Sequence, residues 1–131
     1  MKKTTSLFVG RRKTSVAKVV VKPGKGNVFF NKTPLSLLGG FVRSKILTPL
    51  KLIPEFWNSH DFFISVKGGG VVSSADAAAI AISKAISSMT PEGRSIIAAY
   101  DRHLLVDDPR QAEPKKPNRR SARRFKQKSY R

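Results

Sequence analysis

The sequence predicts a mixed domain of strands and helices, followed by a basic extension that cannot fold alone. Three observations lead there. Residues 7–22 alternate with a strand's period of two. Residues 75–89 repeat alanine and isoleucine at helical spacing. Residues 115–131 hold nine Lys and Arg and no acid, with Phe125 and Tyr130 as their only large apolar side chains. Such a stretch has almost nothing to bury against the entropy of ordering. A chain of 131 residues holds one domain and an extension, placed here at 1–109 and 110–131.

In order, residues 7–22 read as one long strand, with Ala17, Val19 and Val21 on its apolar face and Lys18 and Lys22 on a mixed one. Pro23-Gly24-Lys25-Gly26 is a turn, and residues 27–31 are the return strand of a hairpin. Residues 32–40 form a short helical turn begun near Pro34 and ended at Gly39. A helix over 41–53 is interrupted at Pro49, with Leu47, Leu50 and Ile53 as core. Phe56 and Trp57 either plug the space between that helix and the sheet or form a small exposed patch. His60 and Asp61 serve a turn. Residues 61–67 are the next strand, with Phe62, Ile64 and Val66 sharing a face.

Three glycines follow, and they let another backbone come very close. Ser73 or Ser74 then N-caps a helix running to Met89, with Asp76 completing a capping box. Ala75, Ala78, Ala79, Ile82, Ala85, Ile86 and Met89 form its core side. The other side is small or polar, with Ala77, Ala81, Ser83 and Lys84, and Ile80 stands among them. Small side chains there admit close approach by something bulky, an RNA strand being one candidate. Thr90-Pro91-Glu92 starts the last helix, through Ile96, Ile97 and Tyr100. Residues 104–106 can add an extended segment, and Pro109 and Pro114 end regular structure.

The net charge is +18. Half of it lies in residues 1–109, where sixteen Lys and Arg stand against seven Asp and Glu. A basic body as well as a basic tail points to burial among phosphates. With no Cys there is no disulfide framework and no Cys-ligated zinc. The apolar run after the first Met stops at Arg11, too short for a signal-peptide core, and no apolar stretch reaches membrane-spanning length. A cytosol-like compartment is the default expectation, with no membrane contact. Acids are few and scattered, so no catalytic residues, metal ligands, cofactors or small-molecule substrate are expected.

Three stretches carry the candidate contacts. Arg11-Arg12-Lys13 reads either as phosphate-binding or as charge protecting a sheet edge. Lys67-Gly68-Gly69-Gly70 before a helix resembles a phosphate cradle, but no Gly-Lys-Ser/Thr follows, and packing is the favoured role. The tail reads as a polyanion binder, the bland alternatives being a solvating tail or a targeting cluster. Its arginines suit phosphate, and Phe125 and Tyr130 can stack on bases.

Gly10-Arg11-Arg12-Lys13-Thr14-Ser15-Val16-Ala17-Lys18-Val19, Val66-Lys67-Gly68-Gly69-Gly70, and Asp108-Pro109-Arg110 leading into Lys115-Lys116 and Arg119-Arg120-Ser121-Ala122-Arg123-Arg124 together resemble one family. It is the universal ninth protein of the small ribosomal subunit, in its bacterial or organellar form. The resemblance implies a small α+β sandwich like the second domain of ribosomal protein five. That fold has a mostly antiparallel sheet, helices packed on one face and a left-handed βαβ unit. It implies a structural, non-enzymatic constituent of the small subunit, bound to rRNA in the head and beside neighbouring head proteins. Trp57 and Ile80 are candidates for those protein contacts.

By the same resemblance, rRNA contacts fall to Arg11, Arg12, Lys13, Lys67, Gly68, Gly69, Gly70, Lys84 and Arg110. Along the arm they fall to Lys115, Lys116, Arg119, Arg120, Arg123, Arg124 and Lys126. Lys128, Tyr130 and Arg131 would approach the anticodon stem-loop of peptidyl-site tRNA. The setting would be a cytoplasmic ribosome or, alternatively, a mitochondrial or plastid one. The sequence departs from the family at Ser73-Ser74-Ala75-Asp76, Ala79, Ile80, Pro114 and Tyr130. Two other functions compete: a chromatin-like or RNA-chaperone binder that shares the tail, and a phosphoryl-transfer enzyme that rests on the glycines alone.

Overall fold

The computed structural model describes residues 5–129. The alternation over residues 7–22 is there, but it belongs to two strands, β1 (Leu7–Arg12) and β2 (Ser15–Pro23), paired antiparallel. Lys13 and Thr14 make a two-residue turn, with Lys13 at φ +54°. That turn contains no Gly, Asn or Pro, the residues that usually announce one. Gly10 faces Ala17 across the ladder, on the side that is buried.

The expected hairpin between residues 7–22 and 27–31 does not form. β3 (Val28–Phe30) lies elsewhere in the sheet, because β5 (His60–Lys67) takes the place beside β2. The order is β1-β2-β5-β3-β4, with β4 (Thr33–Pro34) at the edge. All pairs are antiparallel except β3 with β5. β5 is the natural centre: Phe62, Ile64 and Val66 all point inward and are buried. The loop before β3 is held by Ser59 and by the start of β5. Gly24 N–H donates to Ser59 O at 3.0 Å, and Asp61 accepts from the backbone N–H of Lys25 and Asn27, both at 2.9 Å. Asp61 thus has the turn role expected of it.

A parallel pair needs a crossover. Here it comprises a 3-10 turn over Leu35–Leu37, α1 (Gly40–Leu52) and α2 (Pro54–Ser59). Pro49 does not interrupt α1. It is buried beside Ile46 and Leu50, and packing outweighs the lost hydrogen bond and the ring's clash with the preceding turn, which together cost about 3 kcal/mol. Leu47 and Ile53, expected in the core, are half-buried. Phe56 of α2 is buried edge-on against Phe62, while Trp57 is half-buried and its Nε1–H donates to Gly26 O at 3.0 Å. Both plug the space beneath the helix.

The long helix, α3 (Val71–Met89), begins two or three residues before the serines expected to cap it. Gly70 is the N-cap and no side chain caps it. Asp76 completes no capping box and instead pairs with Lys45 at 3.1 Å. α3 lies between the sheet, α1 and α4 (Pro91–Tyr100), so it is buried on nearly every side. Ala77, Ile80, Ala81 and Ser83, expected on the open side, are buried as well, and Ile80 is no candidate for an exposed protein contact. Met89 is the exception at its end, with 44% of its surface exposed. The bulky object that the small residues admit is strand β1, not RNA. A Cβ on Gly10 would strike Ala77 O and stand 2.6 Å from Ala81 N.

α4 starts at Pro91 as expected and buries Ile97, though Thr90 makes no side-chain cap. A 3-10 turn over Arg102–Leu104 replaces the expected extended segment, because Asp101 accepts from His103 N–H at 2.9 Å. All helices sit on the face of the sheet carrying Ala17, Val19, Phe62 and Ile64. Beyond Pro109 the described residues form no helix or ladder, only an isolated bridge between Arg119 and Phe125.

The Gly10 seam is testable. Gly10→Ala places a methyl against backbone that no side-chain rotation can clear, so unfolding in urea should show a loss of roughly 1–3 kcal/mol. An unchanged midpoint would mean that β1 does not lie against α3 as described.

Candidate nucleic-acid interface

Three stretches far apart in sequence meet at one end of the sheet. The β1–β2 turn carries Arg11, Arg12 and Lys13. Alternation puts Arg11 on the uncovered face of the sheet and turns Arg12 toward α3. Lys67 ends β5 directly across from Val16, which itself faces Arg11, so Arg11 and Lys67 share a row. Gly68 and Gly69, both with positive φ, fold back against the turn. A Cβ on Gly68 would meet Thr14 O at 2.5 Å, and one on Gly69 would overlap Ser15 Oγ. Ser15 is fully buried and donates to Gly68 O at 2.9 Å. Close approach between chain segments therefore accounts for these two glycines.

The third stretch is the root of the arm, which runs beside the same turn. Arg11 N–H donates to Asp107 Oδ1 at 3.1 Å, and Gln111 Nε2 donates to Lys13 O at 3.4 Å. Between them, Arg12 lies 2.5 Å from Asp108 Oδ2 and 3.9 Å from Asp76 Oδ2. The Asp108 contact is one of charge without hydrogen-bond alignment. Lys84 Nζ donates to Asp107 Oδ1 at 2.8 Å and to Val9 O at 3.1 Å. Arg110 folds onto Asp108 through Nε at 2.9 Å and Nη2 at 2.6 Å. Those hydrogen bonds hold the Asp108 carboxyl far below its usual value of 3.8, with Arg12 adding its charge, and they raise Arg110 in turn.

The candidate residues thus fall into two groups. Arg12, Lys84 and Arg110 are tied to carboxylates within the fold. Lys116 and Arg123 share Glu113, which their hydrogen bonds keep below its ordinary value. Arg11, Lys13, Lys67, Lys115, Arg120, Arg124, Lys126 and Lys128 are exposed and have no carboxylate within ion-pair distance among the described residues. Arg119 rests on Phe125, its guanidinium carbon 4.2 Å from the ring centroid. Gly70 is exposed at the helix start. Tyr130 and Arg131 lie outside the described residues.

Sequence reasoning missed the acidic framework. Asp107 and Asp108 stand side by side in a connector, far along the chain from Asp76, and nothing local marks any of them as partners of Arg12, Lys45 and Lys84. It also passed over Lys18, Lys22 and Lys32. The first two were visible as every second or fourth residue of β2's outward face. Among the described residues no cluster of His, Cys, Asp and Glu suits a metal ion, and no helix is long and apolar enough to cross a membrane.

Residues 10–131 match the family model described as ribosomal protein S9/S16. Among curated proteins, the chain is 46% identical to the small ribosomal subunit protein uS9 of Desulfurococcus amylolyticus, over 93% of this chain and 89% of that one. It is 46% identical to the protein of the same name from Thermoplasma volcanium, over 95% and 97%. With that of Methanococcus vannielii it shares 41%, over 94% and 96%. These relatives are archaeal, so they lend no support to the bacterial or organellar form that the motifs suggested.

The ion pairs at the arm's root predict an acid limit. Asp61, lowered chiefly by the Asn27 N–H, and Asp108 both have depressed values in the folded protein. Their stabilisation is present above the ordinary value of 3.8 and is lost as pH falls toward the folded value. The urea midpoint should therefore decline below about pH 4, and Asp108→Asn should flatten that decline. An identical pH profile for the variant would rule out this role for Asp108.

Proposed function

The chain belongs to the ribosomal protein S9/S16 family, and from that premise we propose how a structural, non-enzymatic component of the small ribosomal subunit uses the basic corner just described. Residues 1–109 act as a body seated on small-subunit rRNA in the head. Residues 110–131 act as an arm threaded through it.

The observation that carries this reading is the convergence at one end of the sheet. Arg11, Lys13 and Lys67 stand exposed there, and the arm leaves from beside them. Arg11, Lys13 and Lys67 make direct phosphate contacts. Arg12, Lys84 and Arg110 hold the arm's root in place and add to the local positive potential. Gly68 and Gly69 fold the corner tightly against the β1–β2 turn, and Gly70, open on its Cβ side, leaves room for the rRNA backbone beside it. Along the arm, Lys115, Lys116, Arg119, Arg120, Arg123, Arg124 and Lys126 bind rRNA phosphates. Lys128, Tyr130 and Arg131 reach the anticodon stem-loop of peptidyl-site tRNA. A fully extended 115–131 spans at most about 55–60 Å, at roughly 3.3–3.6 Å per residue. That reach suits a body at the subunit surface with a tip at the decoding groove. Neighbouring head proteins complete its surroundings, and the ribosome is the cytoplasmic one, with an organellar ribosome as the alternative.

Three measurements test this. In cell extracts the protein should sediment stoichiometrically with the small subunit through a moderate salt wash; spread across nucleoid or soluble fractions would instead make it a free nucleic-acid binder. For RNA binding by the purified chain, deleting residues 115–131 should make the log–log salt slope shallower by roughly 0.7–0.9 for each phosphate that the arm no longer neutralises. Deleting only residues 129–131 should leave subunit incorporation intact and weaken peptidyl-site tRNA binding. Unchanged tRNA affinity in such subunits removes the tip's assigned role.

A further inference from the structure

The helices cover one face of the sheet and leave the other open. On that open face the register lines up Leu7, Val20, Phe63 and Phe29 as one cross-strand row. Leu7 is 53% exposed and Phe63 38%. Large apolar side chains exposed together in a row call for a partner. Phe29 and Phe63 stack with centroids 5.4 Å apart and planes inclined by 11°. They form the floor of a shallow groove of about 660 Å³, bordered by Lys18 and Lys32.

The charge around this row selects the partner. Lys18, Lys22 and Lys32 are exposed, and Lys22 Nζ stands 5.1 Å from the Phe63 centroid. No Asp or Glu lines the groove among the described residues. The one carboxylate on this side of β5, Asp61, is turned to the backbone N–H groups of Lys25 and Asn27. A stacked aromatic pair in a groove whose only charged residues are cations fits an unpaired nucleobase with its phosphates, since bases stack on aromatic rings and their backbone seeks Lys and Arg. The row is also continuous with the proposed interface. Lys67 lies four residues along β5 from Phe63 on the same face, roughly 13 Å at about 3.3 Å per residue. Arg11 shares the Lys67 row.

We propose that the open face of the sheet is a second RNA site, distinct from the arm, which takes a single-stranded segment with a base stacked on Phe63, extending its stack with Phe29, and phosphates on Lys18, Lys22 and Lys32. The inference rests on the ribosomal reading above and adds to it a class of RNA, unpaired rather than helical. Lys22 then leaves the Phe63 ring for a phosphate, and the vacated face receives the base.

Short-wavelength ultraviolet irradiation of assembled small subunits, followed by peptide mass spectrometry, tests it. Nucleotide adducts on Phe63 or Phe29, together with adducts in the arm, are expected. Adducts in the arm with none on residues 28–32 or 60–67, and carbodiimide coupling of Lys18 or Lys22 to a protein carboxylate, would overturn this site while leaving the arm's RNA role standing. No adduct anywhere on the chain would remove the RNA-binding reading itself. In reconstituted subunits, Phe63→Leu keeps apolar area but loses the ring, so retention through a salt wash should weaken about tenfold. Phe63→Tyr should restore it. Equal retention of the Leu variant and the unaltered protein would count against stacking.

Discussion

Three carboxylates hold this molecule's most charged region together. A chain with eight acids against twenty-six Lys and Arg repels itself, and that repulsion is strongest where basic stretches meet. Asp76, Asp107 and Asp108 are spent at that place. Between them they engage Arg12, Lys45, Lys84 and Arg110, tying β1, α1, α3 and the start of the arm into one network. Individually such part-exposed pairs contribute little. Their worth lies in geometry, because cations on four different segments are fixed relative to each other before any polyanion arrives.

That economy of acid divides the basic residues by task. Cations that meet a carboxylate serve the fold, and those that do not are left to face solvent. Arg11 and Arg12, adjacent in sequence, separate on this principle: the strand sends one outward and the other against Asp76 and Asp108. In the arm, Glu113 is the sole acid, and it draws Lys116 and Arg123 into a loop that Arg119 closes by stacking on Phe125. These contacts are exposed and cheap to break, which suits the proposed laying of this segment along phosphates.

What could be read from residues alone follows the same physics. Period-two alternation and central apolar runs are local, so β5 and its inward Phe62, Ile64 and Val66 were plain. The helix over α4 announced itself through Thr90-Pro91-Glu92. The turn at Lys13 was hidden because its residues are not turn formers. The hairpin to β3 was wrongly expected because the preference for pairing sequence neighbours yields to a longer strand arriving later. α3 misled most. Its alanines look like a half-exposed helix on a wheel, and only the proximity of Gly10, more than sixty residues earlier, explains why its second side is also small. Among the candidate contacts, the basic stretches were visible but their meeting point was not, since it is made by β5 inserting between β2 and β3.

The insertion of β5 has a further consequence for how the two faces are used. By standing between β2 and β3, it brings Phe63 beside both Val20 and Phe29, and brings Lys67 beside Val16. Had β3 paired with β2 directly, Phe29 would face β2 without Phe63 between them, and no aromatic pair would exist. The same strand presents three apolar side chains to the helices and Phe63, Ser65 and Lys67 to the other side. One alternating sequence thereby builds the core on one face and a flat, cation-bordered surface on the other. Covering only one face exposes apolar area that water disfavours, and a surface of bases and phosphates offers both the apolar contact and the charge that this second face lacks in isolation.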